Sequence, residues 1–263
     1  MSTTIAAQMA GADFLKLRKK RGTLIWALVL GWAPVVLFYA VTAIQHASNS
    51  VKYSPAGGTA SFHDGLRLLG GFLFGPLVAI LIGVEAGTND ASAGVFRDLV
   101  VTGRSRLALF ASRLPAALAL CWAIIVSAYA LVLLGTFVFA GDLPTPDGAL
   151  ILNSLGFLLL STGVICAVAV GFASLTTSKP AAIIALIAWQ LIASPVIVGI
   201  ESLGSPRKFV LSQALVHFSP MSLADGGGRH AATMSGAVAL LVIVLWLAVF
   251  LGLGAWRTRT MDA

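Results

Sequence analysis

Residues 148–178 read GALILNSLGFLLLSTGVICAVAVGFASLTTS, a run of 31 residues without Asp, Glu, Lys or Arg. An α-helix needs about 20 apolar residues to cross the hydrocarbon core of a bilayer. The run is therefore long enough for one membrane-spanning helix and too short for two helices joined by a turn. A helix on the surface of a soluble protein shows a polar face at helical period, whereas this run is apolar on all sides.

Five further runs without charged residues are spread over the chain, and each can hold one span. They are residues 22–51, 68–84, 114–141, 180–200 and 230–256. Of the 263 residues, 58% are hydrophobic and 10% are charged, whereas soluble domains carry about 25% charged residues. Membrane β-barrels alternate apolar and polar residues in strands of about ten, and these runs do not alternate. The sequence therefore predicts an all-α integral membrane protein with six transmembrane helices.

The 17 Lys and Arg residues are unevenly distributed about these spans. With six spans both termini lie on one side of the membrane, and that side holds 12 of the 17, in residues 1–21, the loop 85–113, Lys179 and the tail after Trp256. Positive charge marks the cytoplasmic face, so we expect a multi-pass plasma-membrane protein with both termini in the cytoplasm. The net charge of +7 then reflects topology and contact with anionic membrane lipid, and not nucleic-acid binding.

The chain is expected to form one transmembrane domain over residues 1–263. Residues 1–21 would form an amphipathic helix on the cytoplasmic surface, residues 22–256 the six-span bundle, and residues 257–263 a cytoplasmic tail. The first apolar stretch is longer than the core of a secretory signal, about 7–15 residues, which indicates an uncleaved anchor. Before span six, residues 209–218 read FVLSQALVHF. This apolar segment is too short to cross the membrane, which favours a re-entrant or interfacial helix.

Span two is rich in residues that interrupt or narrow a helix. It carries Gly70, Gly71, Gly75 and Pro76. A glycine-rich membrane helix that contains proline usually bends or packs closely against a neighbour. We expect one of these two outcomes for span two, and external loops near residues 45–65, 141–148 and 201–230.

Motifs for catalysis or for metal binding do not occur in the sequence, which has no Walker loop, nucleophile elbow, HExxH motif or paired-cysteine pattern. The six uncharged runs also lack the embedded charges that an ion or proton path needs. We therefore predict no enzyme activity, no catalytic or metal-binding residues and no directly bound cofactor. Polar residues inside spans can contact substrate, or they can form hydrogen bonds between helices. The candidates for a substrate path are Phe72, Phe74, Trp189, Gln190 and Ser194.

The loop between spans two and three carries the most informative pattern, with residues 85–106 reading EAGTNDASAGVFRDLVVTGRSR. Thr88 or Asp90 can begin a helix there and Gly103 can end it. An amphipathic helix held between two spans can transmit a push to both, whereas the alternative is a helix that rests on lipid headgroups. The apolar stripe of this helix contains Ser92, Val95, Phe96, Leu99 and Val100, and Arg97, Arg104 and Arg106 lie off the stripe.

This loop resembles the coupling-helix region of type-2 ABC exporter permeases, the ABC-2 type permease family. Members of that family have an acidic residue at the end of span two, then Gly, Arg, a Leu pair, Ser-Arg, and a basic residue seven positions later. The matching positions are Glu85, Gly94, Arg97, Leu99-Val100, Ser105-Arg106 and Arg113. The family more often has Lys at the last position and Pro near Ser-Arg, where this chain has Gly103.

The resemblance implies the permease subunit of an ATP-driven exporter. It implies a second permease, identical or homologous, and two copies of a cytoplasmic ABC ATPase subunit that carry ATP and Mg. The cargo class would be an amphipathic drug, a peptide antibiotic or a lipid-like molecule, because an apolar route suits such molecules better than ions. The residues implied in ATPase docking are Glu85, Gly94, Phe96, Arg97, Leu99, Val100, Arg104, Arg106 and Arg113.

Three other classes of membrane protein are alternatives to this interpretation. A secondary transporter, which needs no ATP, is disfavoured by the lack of embedded charges and of internal repeats. A membrane-embedded enzyme would need a catalytic pair at membrane depth, and the sequence shows none. A structural or sensory membrane subunit is excluded by no sequence feature.

Overall fold

A computed structural model describes residues 3–70, 73–92, 105–176, 178–220 and 234–260. All regular structure within these ranges is helical. Six helical segments are long and apolar enough to cross a membrane, which confirms the predicted class. In chain order the helices are α1 (Thr3–Lys19), α2 (Arg21–Ser48), α3 (Gly58–Gly70), α4 (Phe74–Ser92), α5 (Arg106–Val138), α6 (Gly148–Leu175), α7 (Lys179–Ala188), α8 (Ser194–Gly199), α9 (Leu211–Val216) and α10 (Gly236–Thr260).

The six spans are built from these helices in a simple order. Span one is α2, span two is α3 followed by α4, span three is α5, span four is α6, and span six is α10. Span five is α7 and α8 joined by a π-helical turn at Trp189–Ala193. Spans two and four are mostly buried, whereas spans one, five and six leave most of their apolar surface exposed. The core of the bundle therefore lies around spans two and four.

Spans two and four approach each other closely because glycines line their contact. A Cβ atom added at Gly83 would lie 2.6 Å from the carbonyl oxygen of Cys166, and one at Gly87 would lie 2.7 Å from that of Val170. Small residues of this kind let two membrane helices bring their backbones together. The predicted close packing of span two is therefore present in its second half.

Span two is also irregular before α4, since Leu73 lies in a bend and α4 begins at Phe74. A Cβ atom at Gly75 would lie 2.0 Å from the carbonyl oxygen of Leu69, so only glycine fits where the chain re-enters the helix. Pro76 lies in the first turn of α4, where its missing N–H removes no helical hydrogen bond. The region of Gly75 and Pro76 is thus irregular, in addition to the close packing of this span.

The first loop is shorter than predicted because α3 begins at Gly58, so that only residues 49–57 join it to span one. Gly58 has a positive φ of 78°, a conformation that favours glycine. The backbone N–H and the hydroxyl of Thr59 both donate to the carbonyl oxygen of Pro144, at 2.9 and 3.0 Å. The start of α3 is thereby fixed to the second loop. We call the end of the bundle that holds the start of α3 and the second loop the far end.

Two predicted local elements have definite outcomes. Thr88 does not begin a helix: its hydroxyl donates to the carbonyl oxygen of Val84 at 2.8 Å, and α4 continues through it to Ser92. The apolar segment 209–218 does contain a short helix, α9. The coupling-helix prediction for Gly94, Phe96, Arg97, Leu99, Val100 and Arg104 concerns residues outside the described ranges.

Candidate functional site

Glu85 lies where three spans meet. The hydroxyl of Thr23, at the start of span one, donates to Glu85 Oε2 at 2.6 Å. Lys179, at the start of span five, forms an ion pair with the same carboxylate oxygen, and its Nζ also donates to the Thr23 hydroxyl at 3.3 Å. These three residues, which we call the Glu85 cluster, connect the end of span two to spans one and five.

The members of the Glu85 cluster differ in their access to solvent. The side chain of Glu85 is 5% exposed and that of Lys179 is 36% exposed. Removing a carboxylate from water costs several kcal/mol unless it is paired and hydrogen-bonded. Glu85 obtains both interactions inside the cluster, whereas the Lys179 ammonium group keeps a path to water. The Lys179 ammonium group therefore stabilises the buried carboxylate of Glu85 while it remains partly exposed to solvent.

A second group of contacts attaches α1 beside the Glu85 cluster. The Ser112 hydroxyl in span three donates to Asp13 Oδ2 at 2.6 Å, and Lys16 pairs with Asp13 at 3.0 Å within α1. Arg113 is buried and donates from Nη1 to the carbonyl oxygen of Gly87 at 3.4 Å. Because Gly87 is two residues from Glu85, spans two and three are joined directly next to the cluster.

The docking residues implied by the resemblance fall partly within the described chain. Glu85 belongs to the end of span two, and Arg113 contacts that end through the carbonyl oxygen of Gly87. Arg106 lies at the same end of the bundle, where its Nη1 donates to the backbone carbonyl oxygen of Arg259 at 3.2 Å. We call this the basic end, because Lys179 and the residues of α1 lie there too.

Sequence reasoning did not assign Thr23 or Lys179 to a site. Their contacts with Glu85 join residues that are 62 and 94 positions apart, so no local pattern encodes them. One signal was present: Lys179 is the only charged residue between spans four and five. A single cation in such a tight turn at the membrane edge needs a partner or solvent.

A second candidate site is a small cleft inside the bundle, with a volume of about 20 Å³. This volume is enough for one water-sized group. Among the described residues around the cleft, none carries a charge. The lining residues are Gly70, Pro76, Phe157, Ser161, Ile165, Gln190, Leu211, Ser212, Leu215 and Val216.

The structure places some of the predicted substrate-path residues at the cleft and others away from it. Gln190 lines the cleft, and the hydroxyl of Ser194 is 2.8 Å from that of Ser212, which also lines it. Trp189 packs against Trp246 in span six, with ring centroids 5.5 Å apart. Phe74, at the start of α4, is not a lining residue of the cleft, and Phe72 lies outside the described residues.

Comparison with known proteins adds no relative to these observations. No protein-family model matches the sequence, and no curated protein shows significant similarity to it. The functional assignment therefore depends on the pattern in the loop after span two and on the geometry of the two sites.

Proposed function

We propose that the chain is the permease subunit of an ATP-driven exporter of the ABC-2 type, which moves an amphipathic molecule out of the cytoplasm. The observation that carries the proposal is the Glu85 cluster. It connects the end of span two, next to the loop that resembles a coupling helix, to the starts of spans one and five. A displacement of that loop would therefore act on three spans at once.

The path from the loop to the cluster is a continuous helix. α4 continues to Ser92, which is seven residues after Glu85, or about 10 Å along a helix axis. In the proposed cycle, ATP binding brings two ATPase subunits together and displaces the loops docked on them. α4 transmits this displacement to Glu85, and the ion pair with Lys179 transmits it to span five. ATP and Mg are bound by the ATPase subunits and not by this chain.

Two further features support the same proposal. Residues of α9 line the cleft together with residues from the middle of spans four and five, which supports a re-entrant helix before span six. Spans one, five and six expose large apolar side chains, among them Trp26, Val196 and Leu241. Such faces suit lipid and a second permease, identical or homologous.

The proposal is tested by measuring whether the ATPase subunit still binds to variants of the chain. Phe96→Ala combined with Leu99→Ala should release the ATPase, because removal of buried apolar anchors from an interface costs about 2 kcal/mol or more, roughly thirtyfold in affinity. The measurement is co-purification of the ATPase from membranes that contain both proteins. The matched control, Phe209→Ala with Leu203→Ala, removes the same residue types at exposed positions between spans five and six and should leave co-purification intact. Undiminished capture by the Phe96 and Leu99 variant would contradict the coupling role.

The alternative is a secondary transporter that does not use ATP. The observation in its favour is that Glu85 is a buried carboxylate in a spanning helix, since such residues often mark ion or proton paths. Glu85 is paired with Lys179 at the basic end, however, and not isolated at mid-depth. Uptake of an amphipathic molecule into inverted vesicles distinguishes the exporter from the secondary transporter. Uptake by the exporter should require hydrolysable ATP. Uptake by the secondary transporter should require an ion gradient and no ATP.

A further inference from the structure

The cleft lies where two irregular helices meet. Span two contributes Gly70 and Pro76, on either side of its bend at Leu73, and the π-helical turn of span five contributes Gln190. Gln190 follows Lys179 by 11 residues, and Pro76 precedes Glu85 by 9 residues, which are about 16 and 14 Å along a helix. Because Lys179 and Glu85 are paired, both irregularities lie at a similar depth, near the middle of a hydrocarbon core of about 30 Å.

Irregular backbone at this depth normally requires a reason. Without water, broken helices are tolerated where they are buried in protein or line a cavity, and π-helical turns frequently occur at functional sites. Here two irregular segments from different spans, together with α9, border one cleft. Their convergence points to a site and not to two unrelated defects.

Gln190 supplies independent support for a ligand. Gln190 is 8% exposed. Its amide forms no hydrogen bond with another described residue and is not fully enclosed, so it is accessible from the cleft that it lines. Buried polar groups are nearly always hydrogen-bonded, and a free carboxamide offers two donors and one acceptor. Ser161, also in the lining, donates its proton to the carbonyl oxygen of Leu158 at 3.3 Å, which leaves its own oxygen available as an acceptor.

We propose that this cleft binds the hydroxyl group of a neutral amphiphile. A hydroxyl can accept from the Gln190 amide and donate to the oxygen of Gln190 or Ser161. No described lining residue can balance a charge, so a charged head group is excluded from the cleft. The volume holds only the polar tip, so the apolar body of the ligand lies outside the cleft, against the apolar surface of the bundle.

The test is photolabelling of the purified full-length chain in lipid nanodiscs. The probe is a long-chain alkyl alcohol with a diazirine next to its hydroxyl end, and the labelled peptides are identified by mass spectrometry. Two comparison probes have the same chain and end in a trimethylammonium group or a methyl group. The alcohol should label peptides that line the cleft, and the comparison probes should not. Equal labelling there by the ammonium or methyl probe, or no labelling by the alcohol, overturns the proposal.

Two matched variants test the role of Gln190. Gln190→Leu should reduce alcohol labelling of the cleft about fivefold, the effect of losing about one net hydrogen bond. Asn153→Leu removes a carboxamide from an exposed position in span four and should leave labelling unchanged. Undiminished labelling of a correctly folded Gln190→Leu variant overturns the proposal, and a misfolded variant leaves the three-probe comparison as the deciding measurement. The statement that the bound molecule is exported cargo rests on the proposed function. The labelling experiment needs no ATPase, so the binding proposal and the proposed function can each fail without the other.

Discussion

Removal of Lys179 from the Glu85 cluster is expected to destabilise the protein more than removal of the charge on Glu85. Lys179→Met leaves the carboxylate of Glu85, which is 5% exposed, with the Thr23 hydroxyl but without its ion-pair partner. Glu85→Gln instead leaves an ammonium group whose side chain is 36% exposed, and which can turn towards water. The Gln side chain can also still accept the Thr23 hydrogen bond.

The magnitudes follow from these exposures. Breaking a fully buried ion pair from one side costs about 3–5 kcal/mol, and we take about 3 kcal/mol for Lys179→Met because the pair is partly open to water. For Glu85→Gln we expect about 1 kcal/mol, close to the value for exposed pairs. The double variant removes both charges, so it should resemble Glu85→Gln and be about 2 kcal/mol more stable than Lys179→Met. A coupling of this sign is the signature of a direct interaction.

Thermal unfolding in nanodiscs, followed by the fluorescence of the six tryptophans, measures these differences. In a chain of this size 1 kcal/mol corresponds to about 2–4 °C in Tm. Lys179→Met should therefore lower Tm by about 6–12 °C, and Glu85→Gln or the double variant by about 2–4 °C. If the double variant unfolds at or below the temperature of Lys179→Met, the buried acid is not what makes that variant unstable, and the account of the cluster fails.

Two further predictions concern helix packing and orientation. Gly83→Ala places a Cβ atom 2.6 Å from the carbonyl oxygen of Cys166 and should cost about 1–3 kcal/mol, whereas Gly252→Ala, with nothing within 4 Å, should not lower Tm; equal effects would contradict the close approach of spans two and four. A cysteine at the exposed position Thr145 should react with an impermeant maleimide in intact cells, and one at the exposed position Lys19 only after permeabilisation, because basic residues mark the cytoplasmic side. The reverse pattern would invert the topology.

The number of spans could be predicted from the length of the runs without charged residues, but the first and last residues of each span could not. The run 148–178 corresponds closely to α6, whose described limits are Gly148–Leu175. The run 68–84 underestimates span two, because α3 begins ten residues earlier, at Gly58. α3 carries Asp64 and Arg67, which pair with each other at 3.1 Å on an exposed face. A search for uncharged runs assigns these two charged residues to a loop. An ion pair between residues i and i+3 is, however, compatible with a helix.

The candidate sites were predictable only in part. The resemblance identified Glu85, but its partners depend on how distant spans pack. Gln190 could be selected because it is a polar residue within a span, a criterion that Asn153, which is exposed, also meets. What distinguishes Gln190 is that it is buried within a π-helical turn without a hydrogen-bond partner among the described residues. Neither property can be derived from composition, because both arise when span five packs against span two and α9.

Span five gives the two sites a physical connection. It begins at Lys179 in the Glu85 cluster, and α7 extends from there to the π-helical turn that holds Gln190. α7 has ten residues, a length of about 15 Å. A π-helical turn is a point at which a helix kinks, so a push on Lys179 would be relieved as bending beside the cleft. In the proposed exporter, displacement of Glu85 therefore changes the position of Gln190 without any separate signal through the rest of the bundle.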